Sequence, residues 1–235
     1  MFSNSQVDRL GRELRDGQVN EENLRRLEMF RSEFVEAYTY VEDVLVRKLR
    51  ITVTGRPSKS TVAIVEKLRR ETARLSQIQD IAGCRVVVPD IASQNKLLDL
   101  LVLMLGGADI DDKRETPTHG YRAIHIVTKH NGRPVEIQLR TRSQHAWAEI
   151  SEKMADAFGQ SIKYGQGEPW VLDFLSNLSN VTSKIETIRY KKKTLLKQVK
   201  YSERLSVQAR LNSQEKEAFA ELKDLFSRTQ KQAAE

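Results

Sequence analysis

The sequence predicts an α+β fold, a mixed β-sheet flanked by helices, with long helices in the amino- and carboxy-terminal parts. Three observations carry this prediction. The predicted elements run α, α, β, α, β, β, α, α, which is not the strict alternation of a doubly wound fold. Two of the strands are joined by Asn131-Gly132, the strongest short hairpin signal. Helical spacing of apolar residues dominates both ends of the 235-residue chain.

The amino-terminal part predicts two helices separated by a loop. Apolar residues recur at helical spacing from Asn20 to Leu49, with charged residues between them, which indicates one long amphipathic helix. The segment Thr54–Pro57 contains Gly and Pro and breaks the pattern. A second helical run follows from Val62 to about Arg74.

The middle of the chain changes to strand patterning. A β-branched run over Ala82–Val88 ends at Pro89 and predicts a strand. A helix over Lys96–Leu105, closed by two glycines, is expected next. Two further strands, Tyr121–Lys129 and Pro134–Thr141, follow and form the hairpin.

Helical patterning returns in the carboxy-terminal part. A helix is predicted from about Ser143 to Phe158, with Gly159 as its C-cap. Pro169 can begin another helix, and helical patterning then continues with few interruptions. The chain is therefore divided into an amino-terminal helical segment (1–50), a core (51–160) and a carboxy-terminal helical segment (161–235).

The hairpin register separates an apolar face from a polar one. A two-residue turn makes one face almost entirely apolar and suited to a core, with the pairs Ile124/Leu139, Ile126/Ile137 and Thr128/Val135. The other face carries an aromatic ring, an imidazole, an acid, an amide and a cation: Tyr121, His125, Glu136, Gln138 and Arg140.

Two interpretations of the polar face are open. It is either the solvated face that antiparallel sheets commonly have, or the floor of a site. The chemical diversity of the face, and Asp80 just before the strand Ala82–Val88, favour a site. Two carboxylates on a sheet face or at strand ends can hold Mg²⁺ against a triphosphate, so Asp80 and Glu136 are the candidate pair.

Three motifs in this region together resemble a known family. They are Asp80–Arg85 (DIAGCR), Gly120–His125 (GYRAIH), and Val135–Thr141 (VEIQLRT) followed by His145–Glu149 (HAWAE). Their order and spacing are similar to those in the synthetase domain of RelA/SpoT-type alarmone synthetases. The resemblance covers roughly Val53–Phe158, and the His-Asp pair that marks the family's hydrolase domain is not found in the sequence.

The resemblance implies a small synthetase with a sheet of the nucleotidyltransferase type. It implies transfer of the β,γ-pyrophosphate of ATP to the 3′-hydroxyl of GDP or GTP, which makes the alarmone (p)ppGpp. By the same resemblance Asp80 and Glu136 would bind Mg²⁺ and carry catalysis, Glu136 by sharing the metal or by taking the proton of the attacking hydroxyl. The implied ATP-binding residues are Arg56, Lys59 and Arg85, and the implied acceptor-binding residues are Tyr121, His125, Gln138, Arg140, Lys113 and Arg114.

Two departures from the family pattern concern ATP and the acceptor. The family commonly has Arg-x-Lys before its second helix, whereas three positions separate Arg56 from Lys59 here. Ala123 stands where the family often has Ser, which removes a hydroxyl from the acceptor side.

The charge distribution leaves a second acceptor open. Residues Val181–Arg210 contain nine Lys or Arg and two Glu, a net charge of +7 that equals the net charge of the whole chain. A basic helix of this kind can follow a phosphate backbone, or it can simply be a solvated face. The resemblance also implies an alternative, a toxin-type synthetase that pyrophosphorylates the 3′ end of tRNA or adenine nucleotides. A catalytically inactive nucleotide-binding module is the other alternative.

Composition and patterning also bear on partners and compartment. The longest apolar stretch, Leu97–Leu105, is interrupted by Asp99 and is far shorter than the ~20 residues of a membrane span. With the single Cys84 and an amphipathic, polar amino terminus, this predicts a cytoplasmic protein without a membrane partner. Apolar stripes could bind an antitoxin or a second copy of the chain: Phe174, Leu178, Ile185, Phe219, Leu222 and Phe226.

Overall fold

The computed structural model describes residues 2–233, so Met1, Ala234 and Glu235 of the predicted terminal segments lie outside the described residues. The chain forms two compact units. The first takes the chain up to Val86 together with Asp99–Asp111 and His125–Leu139. The second takes Val87–Leu98, Asp112–Ile124 and the chain from Arg140 onward. The division at residues 50 and 160 stays a prediction.

The predicted α+β fold, a mixed sheet flanked by helices, is confirmed. The sheet has five strands in the order β1-β2-β5-β4-β3. Their bounds are β1 Val53–Arg56, β2 Ala82–Val88, β3 Asp109–Asp112, β4 Ile124–His130 and β5 Arg133–Thr141. Strand β1 runs antiparallel to β2, with Arg56 opposite Gly83.

The predicted hairpin joins β4 to β5. Asn131 (φ 48°) and Gly132 (φ 75°) both have positive φ, as a type I′ turn requires. The apolar residues predicted for the inner face are at most 1% exposed, which confirms that face as core: Ile124, Ile126, Thr128, Val135, Ile137 and Leu139.

The predicted start of β4 at Tyr121 is wrong, because the strand begins at Ile124. Tyr121 instead forms an isolated bridge with Thr118. His119 (φ 51°) and Gly120 (φ 88°), both in the left-handed region, turn the chain before Tyr121. Tyr121 therefore belongs to a loop rather than to the polar face of the sheet.

The predicted single helix from Asn20 to Leu49 is also wrong. The helices here are α1 Asn4–Arg15, α2 Glu21–Ser32 and α3 Val35–Asp43, and α3 is followed by a π-helical turn, Val44–Lys48. The break between α2 and α3 places Glu33 in an ion pair with Arg133, whose guanidinium lies 5.5 Å from the ring centre of Phe34. The helix ends at this point because a tertiary contact holds the residues between α2 and α3.

The remaining helices agree with the sequence patterns except that α5 begins at Ile91 rather than Lys96 and that the carboxy-terminal run is interrupted once. They are α4 Thr61–Glu71, α5 Ile91–Leu105, α6 Arg142–Phe158, α7 Pro169–Gln198 and α8 Tyr201–Gln232. Gly159 is the C-cap of α6, and Pro169 is at the start of α7, as predicted. The carboxy-terminal run divides at Val199–Lys200, so the basic segment spans two helices.

Helices α7 and α8 pack on each other through a small apolar cluster. Val181, Ile185 and Ile188 of α7 meet Leu211 and Ala218 of α8. Half of the apolar stripe predicted as a partner surface is therefore internal: Phe174, Leu178 and Ile185 are buried, whereas Phe219 and Phe226 are exposed. Within residues 2–233 no helix combines the length and the apolar character that a bilayer span needs.

Candidate active site

Asp80 lies just before β2 and is surrounded by cations. Its Oδ2 is 2.5 Å from Lys59 Nζ, and its Oδ1 is 3.1 Å from Lys67 Nζ. Burial by itself raises the pKa of Asp80, but the hydrogen bond and charge of Lys59, reinforced by Lys67, outweigh it and hold that pKa below its ordinary value. Asp80 is therefore ionised at neutral pH.

The unusual spacing of Arg56 and Lys59 still brings both cations to Asp80. Arg56 ends β1, and its Nη2 lies 3.1 Å from the Asp80 carbonyl oxygen and 3.9 Å from Oδ2. The backbone N–H of Lys59 donates to the carbonyl of Ile81 at 2.7 Å, which fixes the chain beside Asp80. Both cations therefore contact Asp80 although three positions separate them.

Lys67 is a site residue that the sequence analysis missed. It lies on α4 and contacts both Asp80 and, at 3.7 Å, the carboxylate of Glu71. Lys67 follows the N-cap Ser60 by seven residues, which is about two helical turns. It therefore lies on the same side of α4 as Ser60, the residue next to Lys59. That two-turn spacing from Ser60, the residue after Lys59, is the signal that could have identified it.

Glu136 of β5 is the second partly buried carboxylate, and two neighbours hold it. Its Oε1 lies 2.8 Å from His125 Nδ1, and its Oε2 accepts from Gln138 Nε2 at 2.9 Å. Burial raises the pKa of Glu136, but the hydrogen bond and charge of His125, and then the amide of Gln138, lower it to a net value below the ordinary one. The negative charge of Asp80 opposes this shift, so the two carboxylates interact electrostatically.

A cavity of about 330 Å³ opens on this part of the sheet. Its volume lies at the lower end of the range for small-molecule sites. Arg85 lies on β2 opposite Thr54 of β1, so strand pairing places its side chain beside the cavity. The lining includes Gly55, Arg56, Gly83, Arg85, Glu136 and Gln138.

The donors of this region fit a Mg²⁺ ion that a substrate helps to hold. Asp80 and Glu136 are both ionised and both offer carboxylate oxygens, which Mg²⁺ prefers. Within residues 2–233 no three His, Cys, Asp or Glu side chains form a complete metal-ligand group. Mg²⁺ commonly uses one or two carboxylates with substrate phosphates and water, so two carboxylates are the kind of donor set that it takes, and Mg²⁺ binding stays a prediction.

Tyr121 and Arg140, predicted for the acceptor side, form a pair. Arg140 Nη2 donates to Tyr121 Oη at 2.9 Å, and its guanidinium carbon lies 5.0 Å from the centre of the Tyr121 ring. Arg140 is buried, and the ring of Trp147 lies 6.4 Å from that of Tyr121. The position of the Tyr121 ring is thus fixed by a cation and by a second aromatic residue.

The other predicted acceptor residues have structural partners. Lys113 donates its backbone N–H to the carbonyl of Ala123 at 2.9 Å. Arg114 makes a two-point contact with Asp112, at 2.9 and 2.6 Å, and its Nη1 donates to Asn95 Oδ1 at 2.6 Å. His125 and Gln138, predicted to line the acceptor side, are the partners of Glu136, and all four acceptor roles stay predictions.

Residues 55–157 match a sequence family described as the region found in RelA / SpoT proteins. This part of the chain is a RelA/SpoT region. The resemblance inferred from the three motifs is therefore confirmed. An uncharacterised protein of Mycobacterium tuberculosis is 32% identical over 172 residues, which cover 70% of this chain and 63% of that protein. A GTP pyrophosphokinase of Bacillus subtilis is 31% identical over 124 residues, 47% of this chain and 58% of that protein.

Solved structures of other proteins have a similar fold. The small alarmone synthetase 1 from Bacillus subtilis superposes with a TM-score of 0.58 at 22% identity, covering 77% of this chain and all of that chain. A GTP pyrophosphokinase family protein from Streptococcus pneumoniae gives 0.57 at 23% identity, covering 71% and 92%. At these identities the likeness shows the fold. The chain spans less than two thirds of the length of the curated relatives named above.

Proposed function

We propose that this protein is a Mg²⁺-dependent pyrophosphokinase that transfers the β,γ-pyrophosphate of ATP to the 3′-hydroxyl of GDP or GTP. The observation that carries the proposal is the pair of partly buried, ionised carboxylates, Asp80 with three cations around it and Glu136 at the edge of a cavity with two arginines. The Bacillus subtilis relative named GTP pyrophosphokinase supports it.

The cations of the first unit suit a triphosphate. Arg56, Lys59, Lys67 and Arg85 together can balance the charge of ATP, and the two lysines would exchange part of their contact with Asp80 for phosphate oxygens. Asp80 and Glu136 would hold Mg²⁺ together with phosphate oxygens, and the ion would neutralise charge on the pyrophosphoryl group.

In this proposal Glu136 receives the proton of the acceptor hydroxyl. The 3′-oxygen forms a bond to the β-phosphorus of ATP, and the bond from that phosphorus to the α,β-bridging oxygen breaks, so AMP leaves. Because Glu136 is ionised, its carboxylate is available as the base, and His125 and Gln138 fix its orientation. Tyr121 would stack on the guanine, while Lys113 and Arg114 would meet the acceptor phosphates.

A label-transfer experiment tests the acceptor. The purified protein is incubated with Mg²⁺ and ATP labelled on its γ-phosphate, with GDP, GTP, AMP, ADP and deacylated tRNA offered in parallel. The expected result is label on GDP and GTP. Label on an adenine nucleotide or on tRNA would overturn the guanine acceptor, and label on none of them, with ATP binding retained, would indicate an inactive nucleotide-binding module.

Transfer to the 3′ end of tRNA is the second candidate, and the surface of α7 and α8 favours it. Four of the nine cations in Val181–Arg210 pair with acids, namely Lys184, Arg189, Lys192 and Lys193. Within the described chain the other five have no acidic partner: Lys191, Lys197, Lys200, Arg204 and Arg210. Unpaired cations next to the exposed Tyr201 and Leu205 can follow a phosphate backbone.

Charge reversal at the α7–α8 turn separates the two acceptors. A Lys197→Glu, Lys200→Glu double variant should leave transfer to GDP and GTP unchanged, because these lysines belong to neither predicted nucleotide group. If tRNA is the acceptor, the same variant should lose tRNA labelling and the salt dependence of that labelling should weaken. Lys216→Glu, Lys223→Glu on the exposed side of α8 is the matched control. Docking of an antitoxin and assembly with a second copy stay predictions.

A further inference from the structure

The loop between β3 and β4, which we call the acceptor loop (Lys113–Ala123), is closed at its base by two contacts. The N–H of Lys113 donates to the carbonyl of Ala123 at 2.9 Å. The Nη1 of Arg122 donates to the carbonyl of Arg114. The loop carries three of the predicted acceptor residues, Lys113, Arg114 and Tyr121, so its conformation sets where they lie.

Arg122 also fastens the acceptor loop to helix α7. Its Nε donates to Ser179 Oγ at 3.0 Å, and its Nη2 donates to Asn180 Oδ1 at 3.1 Å. Ser179 is only 3% exposed, so this bond is protected from water. Each nitrogen of the guanidinium thus has a partner, and two of the three partners are side chains of α7.

The backbone next to Tyr121 is fitted against the same helix. A Cβ on Gly120 would lie 2.8 Å from the Trp147 ring and 3.1 Å from the carbonyl oxygen of Leu175, and its φ of 88° suits only glycine. Trp147 Nε1 donates to that carbonyl at 2.8 Å. The chain on both sides of Tyr121 is therefore held by α7, once through Arg122 and once through Gly120.

We infer that Ser179 and Asn180 of α7 are positioning residues for the acceptor nucleotide, acting through Arg122 on Tyr121 and the acceptor loop. Both residues lie outside the RelA/SpoT region of residues 55–157, so part of the acceptor site is supplied by a helix beyond that region. The inference rests on the proposed function, because it assigns a nucleotide acceptor to this loop.

Helix α7 offers a matched control within its own sequence. The dipeptide Ser-Asn occurs at 176–177 and again at 179–180, one turn later. Ser176 and Asn177 are exposed, whereas Ser179 and Asn180 bind Arg122. The variants Ser179→Ala, Asn180→Ala and Ser176→Ala, Asn177→Ala remove identical groups from one helix, so their comparison isolates the bonds to Arg122.

The two double variants are compared in steady-state kinetics with GDP or GTP. Losing two hydrogen bonds to a charged group at 179–180 should raise the KM for the acceptor on the order of tenfold, with the KM for ATP and kcat at saturating acceptor unchanged. The 176–177 variant should match the wild type. An equal rise in both KM values, or none in the acceptor KM, would overturn the inference.

A second measurement separates this inference from the proposed function. If the wild type transfers label to no acceptor, the proposed function fails, but hydrogen exchange of residues 113–123 still reports whether the loop is held. The loop amides should exchange faster in the 179–180 variant than in the 176–177 variant, because opening the loop costs less without the α7 bonds. Equal exchange in the two variants would contradict the positioning role without bearing on the reaction.

Discussion

The two groups of candidate site residues are held by different forces. Asp80 and Glu136 are held by charge, since each partly buried carboxylate is paired with cations or with hydrogen-bond donors that keep its pKa low. Tyr121 is held by packing, by a hydrogen bond from Arg140, and by its place in the acceptor loop, which Arg122 fastens to α7.

The two groups differ in how far along the sequence their contact partners extend. The partners of Asp80 begin at Arg56, and those of Glu136 begin at His125, so both sets lie within the RelA/SpoT region. The acceptor loop needs residues near 180, well beyond that region. The contacts of the two carboxylates are thus complete within the region that matches the family, whereas the loop proposed to bind the acceptor depends on a helix outside it.

The largest effect should follow from Glu136→Gln. The amide cannot take a proton or carry the negative charge, so transfer should fall by about 10²–10⁴-fold, as for loss of a general base. The similar size of Gln should leave the thermal unfolding midpoint within a few degrees of the wild type. The measurement is label transfer at saturating ATP and acceptor, with Glu22→Gln on α2 as the control. Wild-type turnover in Glu136→Gln would remove Glu136 from the mechanism.

A smaller and more selective effect is expected for Tyr121→Ala. Loss of base stacking costs about 1–3 kcal/mol, so kcat/KM for the acceptor should fall roughly 10- to 100-fold while ATP binding is kept. Tyr121→Phe keeps the ring but removes the bond from Arg140, and its effect should be smaller. The KM values for ATP and for the acceptor are measured separately. Weakened ATP binding in Tyr121→Ala would mean that the assignment of the two nucleotides is reversed.

Local patterns in the sequence were enough to predict the strands that form the polar face. The β-branched run of β2 and the Asn131-Gly132 turn act within a few residues, and the turn fixes the register that puts Glu136 beside His125 and Gln138. Strands β1 and β3 were missed because each has only four residues and exists through pairing with a neighbour rather than through its own pattern.

Contacts between residues distant in sequence account for the other differences between the predicted and the observed structure. The break between α2 and α3 depends on Arg133, about 100 residues away from Glu33. Tyr121 lies outside the strand in which it was predicted, because Gly120 next to it fits against Trp147 and Leu175. No pattern near residue 121 indicates this contact. The same holds for the bonds from Arg122 to α7, whose partners are 57 and 58 positions away.

The smallest predicted effect concerns stability in acid, and it tests whether charge holds Asp80, one of the two site carboxylates. Because the folded pKa of Asp80 is lowered, its stabilisation is present above the ordinary pKa of 3.8 and is lost as pH falls through the folded value. At pH 7, Asp80→Asn should lower the unfolding midpoint by a few degrees, since it leaves the buried Lys59 without its partner. The difference in unfolding midpoint between Asp80→Asn and the wild type should shrink as pH falls below about 4. The control Asp224→Asn, which removes the exposed ion pair with Arg228, should change the midpoint little at any pH. A difference that stays constant down to pH 2 would mean that packing rather than charge holds Asp80, and the contrast between the two groups would disappear.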